Sequence, residues 1–522
     1  MTTNCPFDIS PLDQEQSSGT PKLSSLSYTN QDFWSMKSRL VNFIFEKFPD
    51  DFNDFVESSL AVMITENFAF LADIISFKLD QYINELFIDT VTESENMFRL
   101  CKLVGYNPIP PIAATTLFSA TLNNTLTADV SIPPGVLTEI SINDTVINYE
   151  LFAADSNNNP IFDENIVIIA GDLTNTTIIG IEGRTLTTNA RGTGLINQNV
   201  RLDDFPVLYD SIRVVVDGIE WKQVEYFTDS KPRREYRVEY NSDYVAFVIF
   251  GNNVSGLMPA QGSSIDITYR VGGGTIGNIV SGSLQFTRQF EVPALNFQVP
   301  VSFRNYTAGK GGYGGDGIED IRVKLPAYLL SQNRCVTGQD YKTYVDSFVT
   351  PYNGQVGKST VVLRNYGCAG NVIDIFILAM RSPNSSSNID LEVASDELKY
   401  QLNNSIDTKK MITDYCCIRD GVIVETDVTL DIIIDKSFKK LQNEINTRIQ
   451  NKISQFFSLN NWNYGQTLKN TDLIKQLSGI NEIESVDITF ATNDSDNSGS
   501  TVTCKYYEII RPDQIMVNYN YQ

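Results

Sequence analysis

The stretch from Tyr28 to Pro108 constrains this chain more than any other, because it carries more apolar surface than one helix buries in its own domain. Three helices can be read in it. The first opens at Asn30 as N-cap and ends before Pro49. The second runs from about Phe55 to Ile88, or ~50 Å at 1.5 Å per residue. Leu60, Ile64, Leu71, Ile75, Leu79, Tyr82 and Leu86 recur along it at three-, four- and seven-residue steps, the spacing of a helix face. Met63, Phe70 and Phe77 form another stripe, so this helix is covered on more than one side. The third opens with Thr92, and Glu95 three residues on predicts a capping box. It closes at Gly105, with Pro108 just beyond as a stop signal.

Two readings follow. Either the helices fold on one another as an ordinary helical subdomain, or they form a bundle that another chain completes. On the second reading the contact residues are Leu60, Ile64, Phe68, Leu71, Ile75, Leu79 and Tyr82. A membrane span is not expected, since Glu57, Glu66, Asp73, Lys78 and Asp80 leave no ~18-residue uncharged apolar run.

At 522 residues the chain is too long for one core, and three or four domains are expected. A net charge of −23 gains nothing from counterion release, which argues against nucleic acid and anionic membranes as partners. The absence of histidine removes the Ser-His-Asp triad, the Cys-His pair and His-ligated zinc. Cys5, Cys101, Cys335, Cys368, Cys416, Cys417 and Cys504 are odd in number and include no CxxC, so reduced, mostly buried thiols made in a cytoplasm are expected. Residues 1–20 have neither the basic start nor the apolar core of a signal peptide.

Residues 1–27 are polar and read as an extended N-terminal arm ahead of the helical domain, 28–108. From 109 to 290 the pattern alternates, which predicts an antiparallel sandwich or barrel-like β domain. Its clearest hairpin places Asp217-Gly218 between the β-branched run from Ser211 and the run from Ile219 to Phe227. Residues 291–317, with Pro293, Pro300 and a glycine-rich run, read as a linker. Two α+β domains follow, 318–420 and 421–522. The first holds helices at about 318–332, from Thr337 to about Val349, and at Leu391–Leu402. The second opens with an alternating strand (Val424, Thr426, Val428, Leu430, Ile432, Ile434). It continues with a helix striped by Leu441, Ile445, Ile449 and Ile453, a helix at 468–477, and closing strands at 483–491 and 501–509. The fold class is therefore multidomain α+β: an N-terminal helical bundle segment, a central antiparallel β domain and two C-terminal α+β domains.

Two segments match G-x-G-x-x-G, at Gly272–Gly277 and Gly309–Gly314. A dinucleotide site needs that pattern between a parallel strand and a helix N-terminus. The first sits in a meander and the second follows an extended stretch, so turn glycines are the better reading. Paired acids such as Asp50-Asp51, Asp203-Asp204 and Glu319-Asp320 could serve a glycosidase or a metal, but read as solvated surface at this composition. No catalytic residue, cofactor or metal ligand is singled out.

Three places carry a family likeness. The first is Asp80-Gln-Tyr-Ile-Asn-Glu-Leu-Phe-Ile-Asp-Thr-Val91, then Glu95-Asn96, then Leu103-Val-Gly-Tyr-Asn-Pro108. The second is Phe250-Gly-Asn-Asn-Val-Ser-Gly-Leu-Met-Pro-Ala-Gln-Gly262 with Tyr269-Arg-Val-Gly-Gly-Gly-Thr-Ile-Gly-Asn278, the most specific. The third is the C-terminal unit with Gly479-Ile-Asn-Glu-Ile-Glu-Ser-Val486. Over about residues 28 to 490 the chain resembles the J-like baseplate family, and within it the inner wedge proteins of T-even-type contractile phage tails. Val91 stands where that family often has alanine.

The resemblance implies a structural, non-enzymatic role in the virion tail, with assembly in the host bacterial cytoplasm. It implies as partners a second copy of the chain, a helical wedge subunit, a sheath-initiator-like protein and a clamp protein. Wedges of this kind link into a ring around the hub, and glycine linkers would let two copies adopt two conformations. The competing readings are a virion adhesin, a tail-associated glycan hydrolase, and the equivalent wedge protein of a phage-derived injection particle.

Overall fold

A computed structural model describes residues 32–48, 59–142, 145–227, 231–294, 297–365, 371–382, 389–480, 482–493 and 497–521. The expected arm and the expected Asn30 cap lie outside them. The described residues form two compact units. One holds those of 14–108 together with 316–326, and the other holds those of 109–315 and 327–522.

The first unit is helical: α1 (Phe33–Lys47), α2 (Leu60–Asn84), α3 (Ser94–Val104) and the first turns of α4 (Ile318–Ser331). Asp32 caps α1, its carboxylate accepting the Ser35 N–H at 2.8 Å. α2 stops four residues earlier than expected, at Asn84, whose carbonyl accepts the Thr90 hydroxyl at 2.6 Å. The capping box expected from Thr92 does not form. Thr92 donates both its N–H (3.0 Å) and its hydroxyl (2.6 Å) to Glu85, a charged acceptor, and α3 starts after Glu93 instead.

The second unit is built on four larger sheets. In the first, seven strands order as 285–292, 297–305, 115–122, 174–182, 145–154 and 136–142, with 160–161 beside 145–154. The strand Phe297–Asn305 corrects the expected linker: it pairs with both Gln285–Val292 and Thr115–Leu122. Pro300 is tolerated because pairing with Thr115–Leu122 stops at Val301, so the strand has a single neighbour there. The second sheet is also seven-stranded and closes over a separate core of Val214, Trp221, Val248, Phe250, Ile265 and Ile267. The region expected as one β domain therefore holds two cores. One pair in it, Ile219–Gln223 with Glu235–Tyr240, is parallel.

Two α+β layers complete this unit. A five-stranded sheet is backed by α5 (Gly338–Asp346) and α6 (Asp396–Asp407) through Tyr341, Val345, Leu398, Leu402 and Ile406. α6 begins five residues later than expected. Ser395 accepts the Leu398 N–H as its cap, and Leu391 sits in a two-residue strand. The last sheet has three strands, ordered 483–492, 422–434 and 508–521, and is covered by α7 (Gln442–Phe456) and α8 (Asn470–Leu477). Ile445, Ile449 and Ile453 are buried as their spacing requires, while Leu441 ends a preceding 3-10 turn and is exposed. The observed class is multidomain α+β, as expected.

Candidate interaction surface

α2 is inside out. Its buried positions ahead of the last turn are Val62, Thr65, Ala69 and Ser76, mostly small, while its large apolar side chains face water. At about 100° per residue, those four lie on one side. Leu60, Ile64, Phe68, Leu71, Ile75, Leu79 and Tyr82 share a second face, centred about 120° round the helix from them. All seven are exposed, from 45% at Ile64 to 69% at Tyr82. Met63, Phe70, Ile74 and Phe77 are exposed on the flank. α1 packs along α2, with Lys37 Nζ 2.6 Å from Glu66, yet it buries no residue itself and exposes Trp34, Phe43 and Phe45. Burying one Leu, Ile or Phe is worth roughly 1.5–3 kcal/mol. Exposed apolar side chains this dense along one helix go beyond the single scattered apolars normal on a protein surface.

The end of α2 is held rigidly. The Glu85 carboxylate accepts from Thr92 and also from Glu93 N–H (3.2 Å) and Asn96 (3.1 Å). Burial pushes its pKa up, but the hydrogen bonds from Thr92, Asn96 and Glu93 outweigh burial and leave it below the usual range. Arg322 donates to the carbonyls of Ile88 (3.2 Å) and Val91 (2.8 Å), covering the turn between α2 and α3. Gly105 ends α3 at φ 73°, and Tyr106 then donates to Asp316 at 3.2 Å. The first family-like segment is thus a structural lock. It anchors the base of an apolar helix.

The glycine-rich loops have a similar structural use. In Gly272–Gly277 the N–H groups of Gly273 (2.6 Å) and Gly274 (3.3 Å) donate to the buried carboxylate of Glu182, so the seat a phosphate would take is filled from within. In the second loop the Gly309, Lys310 and Tyr313 N–H groups bond to Ile279, Thr115 and Ile112 carbonyls, and Gly312 N–H bonds to Asn278. The loops press backbone on backbone: a Cβ on Gly274 would stand 2.2 Å from the Tyr313 carbonyl oxygen. A separate cavity of about 440 Å³ beside the end of α7 holds two acids, Asp390 and Asp513. Asp390 is tied to Arg511 at 2.5 Å, and burial pulls the Arg511 pKa down despite that partner.

Sequence periodicity located all seven exposed residues but not the small-residue side of the same helix. Its signal was present as the seven-residue steps Val62, Ala69 and Ser76. Glu85 was also missed as a hub, although Asn84-Glu85 and Glu95-Asn96 stood out as a pattern.

The sequence matches no family model and no curated protein. Among solved structures, a chain of the anti-feeding prophage baseplate, determined by cryo-EM, is similar over 91% of this chain and 90% of its own, at 10% identity and a TM-score of 0.37. A likeness at that level transfers no role from that chain to this one.

Proposed function

We propose that this chain is a structural subunit of a contractile-tail baseplate, of the inner wedge type, and that it joins its partners through the apolar face of α2. The observation that carries the proposal is the outward placement of Leu60, Ile64, Phe68, Leu71, Ile75, Leu79 and Tyr82 on a helix that is packed on another side. The family-like segments support the same reading. They account for the turns and locks of a rigid scaffold, and the acid-lined glycine loop leaves no phosphate seat. In this role a helical wedge subunit and a second copy would complete the bundle, and the sheath-initiator-like and clamp proteins would be neighbours. The particle is a phage tail or a phage-derived injection device.

The test is the mass of the purified chain by light scattering, alone and with the other wedge subunits of the same particle. The wild-type chain should self-associate or form a defined complex with them. Leu71→Asp should abolish that complex while the far-UV circular dichroism of the chain stays unchanged. A Leu71→Asp chain that still assembles normally would remove this face from the contact.

A further inference from the structure

The exposed row on α2 does not repeat every seven residues. Leu60, Leu71 and Tyr82 stand 11 apart, as do Ile64 and Ile75, and Phe68 and Leu79, so the steps run four, four, three and then repeat. A seven-residue repeat would carry Leu60 to Asn67, and Ile64 and Leu71 to Lys78, an exposed cation. The packed row of small residues on the same helix, Val62, Ala69 and Ser76, does step by seven. At 3.6 residues per turn, seven residues fall about 20° short of two turns, and 11 overshoot three turns by about 20°. A neighbour that follows a seven-residue row therefore winds left-handed around the helix, and one that follows an 11-residue row winds gently right-handed. The spacing along the axis also bears on the kind of element that fits. From Leu60 to Tyr82 is about 33 Å at 1.5 Å per residue, in steps that average about 5.5 Å. A second helix presents a layer every 5.4 Å or so and stays within about 1 Å of the row over that length. A strand laid along it presents same-face side chains every ~6.6 Å and ends a whole layer out.

We propose that the occupant of this face is an α-helix of a partner chain whose own apolar residues repeat every 11, laid along α2 with a slight right-handed wind, and that helices with a seven-residue repeat are discriminated against. The proposal rests on the contact role given to this face above and adds the period its partner must have. Leu79 decides that period, because it carries the row on by four residues from Ile75 where a seven-residue row would use Lys78. Leu79 is 49% exposed and so is available to a partner, while Lys78 Nζ is turned to Gln81 at 3.1 Å. Exchanging the two, Lys78→Leu with Leu79→Lys, turns the steps from Ile64 to Tyr82 into four, three, four, three and four without changing composition. The exchanged chain keeps its apolar content and loses only the 11-residue repeat.

The experiment is fluorescence anisotropy of the full-length chain with two labelled helical peptides of equal length and composition, one with leucine at four-four-three steps and the other at four-three steps. Wild type should bind the four-four-three peptide at least ~10-fold more tightly, the effect of one buried leucine gained or lost. The exchanged chain, with unchanged far-UV circular dichroism, should reverse the preference, which indiscriminate apolar sticking cannot do. Leu71→Asp should bind neither peptide. No binding of the four-four-three peptide to wild type, equal affinity for the two, or a preference that the exchange leaves in place overturns the proposal. Light scattering of Leu71→Asp with the wedge subunits reads the contact itself, and the peptide preference reads only the repeat, so the two can fail separately.

Discussion

Glu182 sits inside the loop it supports: its carboxylate accepts the backbone N–H of Gly273 at 2.6 Å, 91 residues further along the chain. Burial raises its pKa to about 7, against the Gly273 and Gly274 N–H groups and the Arg270 charge, which pull it down. In the unfolded chain the same group titrates near 4.5, so the folded chain holds the extra proton between those values. That stabilisation is complete below 4.5 and lost as pH rises through about 7. Glu182→Gln, which fixes the neutral form, should flatten the fall in melting temperature between pH 5 and 8. The component removed is on the order of 3 kcal/mol. Identical pH slopes for the two chains would show that Glu182 is ionised throughout.

The two sides of α2 should respond in opposite ways. Ala69 is fully buried, and Ala69→Leu should destabilise the helical unit by ~1–3 kcal/mol through overpacking. Leu71→Ser, on the exposed face, should change the stability of the isolated chain by no more than ~0.5 kcal/mol. Helical circular dichroism followed against temperature separates the two. A large loss in Leu71→Ser would place that residue in an internal core.

Removing the Glu85 carboxylate leaves Thr92, Glu93 and Asn96 without their shared acceptor. Glu85→Ala should cost about 1.5–3 kcal/mol, the range for hydrogen bonds to a charged group. Because the Glu85 pKa lies below its ordinary 4.5, its stabilisation is present above that value and lost as pH falls through the folded-state pKa. Wild type and variant should therefore converge in acid, and hydrogen exchange at Thr92 and Glu93 would report it.

Arg270 and Glu150 form a buried ion pair, and the same guanidinium donates to the carbonyls of Ile181 (3.2 Å) and Glu182 (3.1 Å). Breaking such a pair from one side typically costs ~3–5 kcal/mol. Arg270→Met should reach that range in chemical denaturation, and adding Glu150→Met should recover part of it. A double variant no better than the single one would mean that the carbonyl contacts dominate.

The local parts of the fold were legible in the sequence. Asp217 and Gly218 take positive φ angles of 48° and 76°, as a two-residue hairpin turn demands. Thr337 and Asp340 form a reciprocal capping box at the start of α5. Thr426, Val428, Leu430, Ile432 and Ile434 alternate into the core. What stayed hidden depends on distant partners. Phe297–Asn305 looked like linker because Pro293 and Pro300 suggest a break, and only its neighbouring strands reveal that Pro300 stands where pairing is one-sided. Arg184–Arg191, RTLTTNAR, offers only Leu186 and Ala190 as apolar residues on its inner face, yet it lines the edge of a sheet by pairing along Ser264–Val271. The glycine loops could be read as turns, but nothing near them in sequence points to Glu182. On α2, periodicity picked out side chains that stand exposed. Which side of α2 is packed required the helix beside it.

The outward face of α2 also bears on how the protein must be made. In the role proposed above, a chain that shows Phe68, Leu71, Phe77 and Tyr82 to water would find its own copies as readily as a partner whenever it is produced in excess. Its yield in soluble form would then be set by the ratio in which partners are supplied during synthesis more than by its own folding stability. Expressed alone at high level it should enter inclusion bodies, and matched co-expression should bring it out.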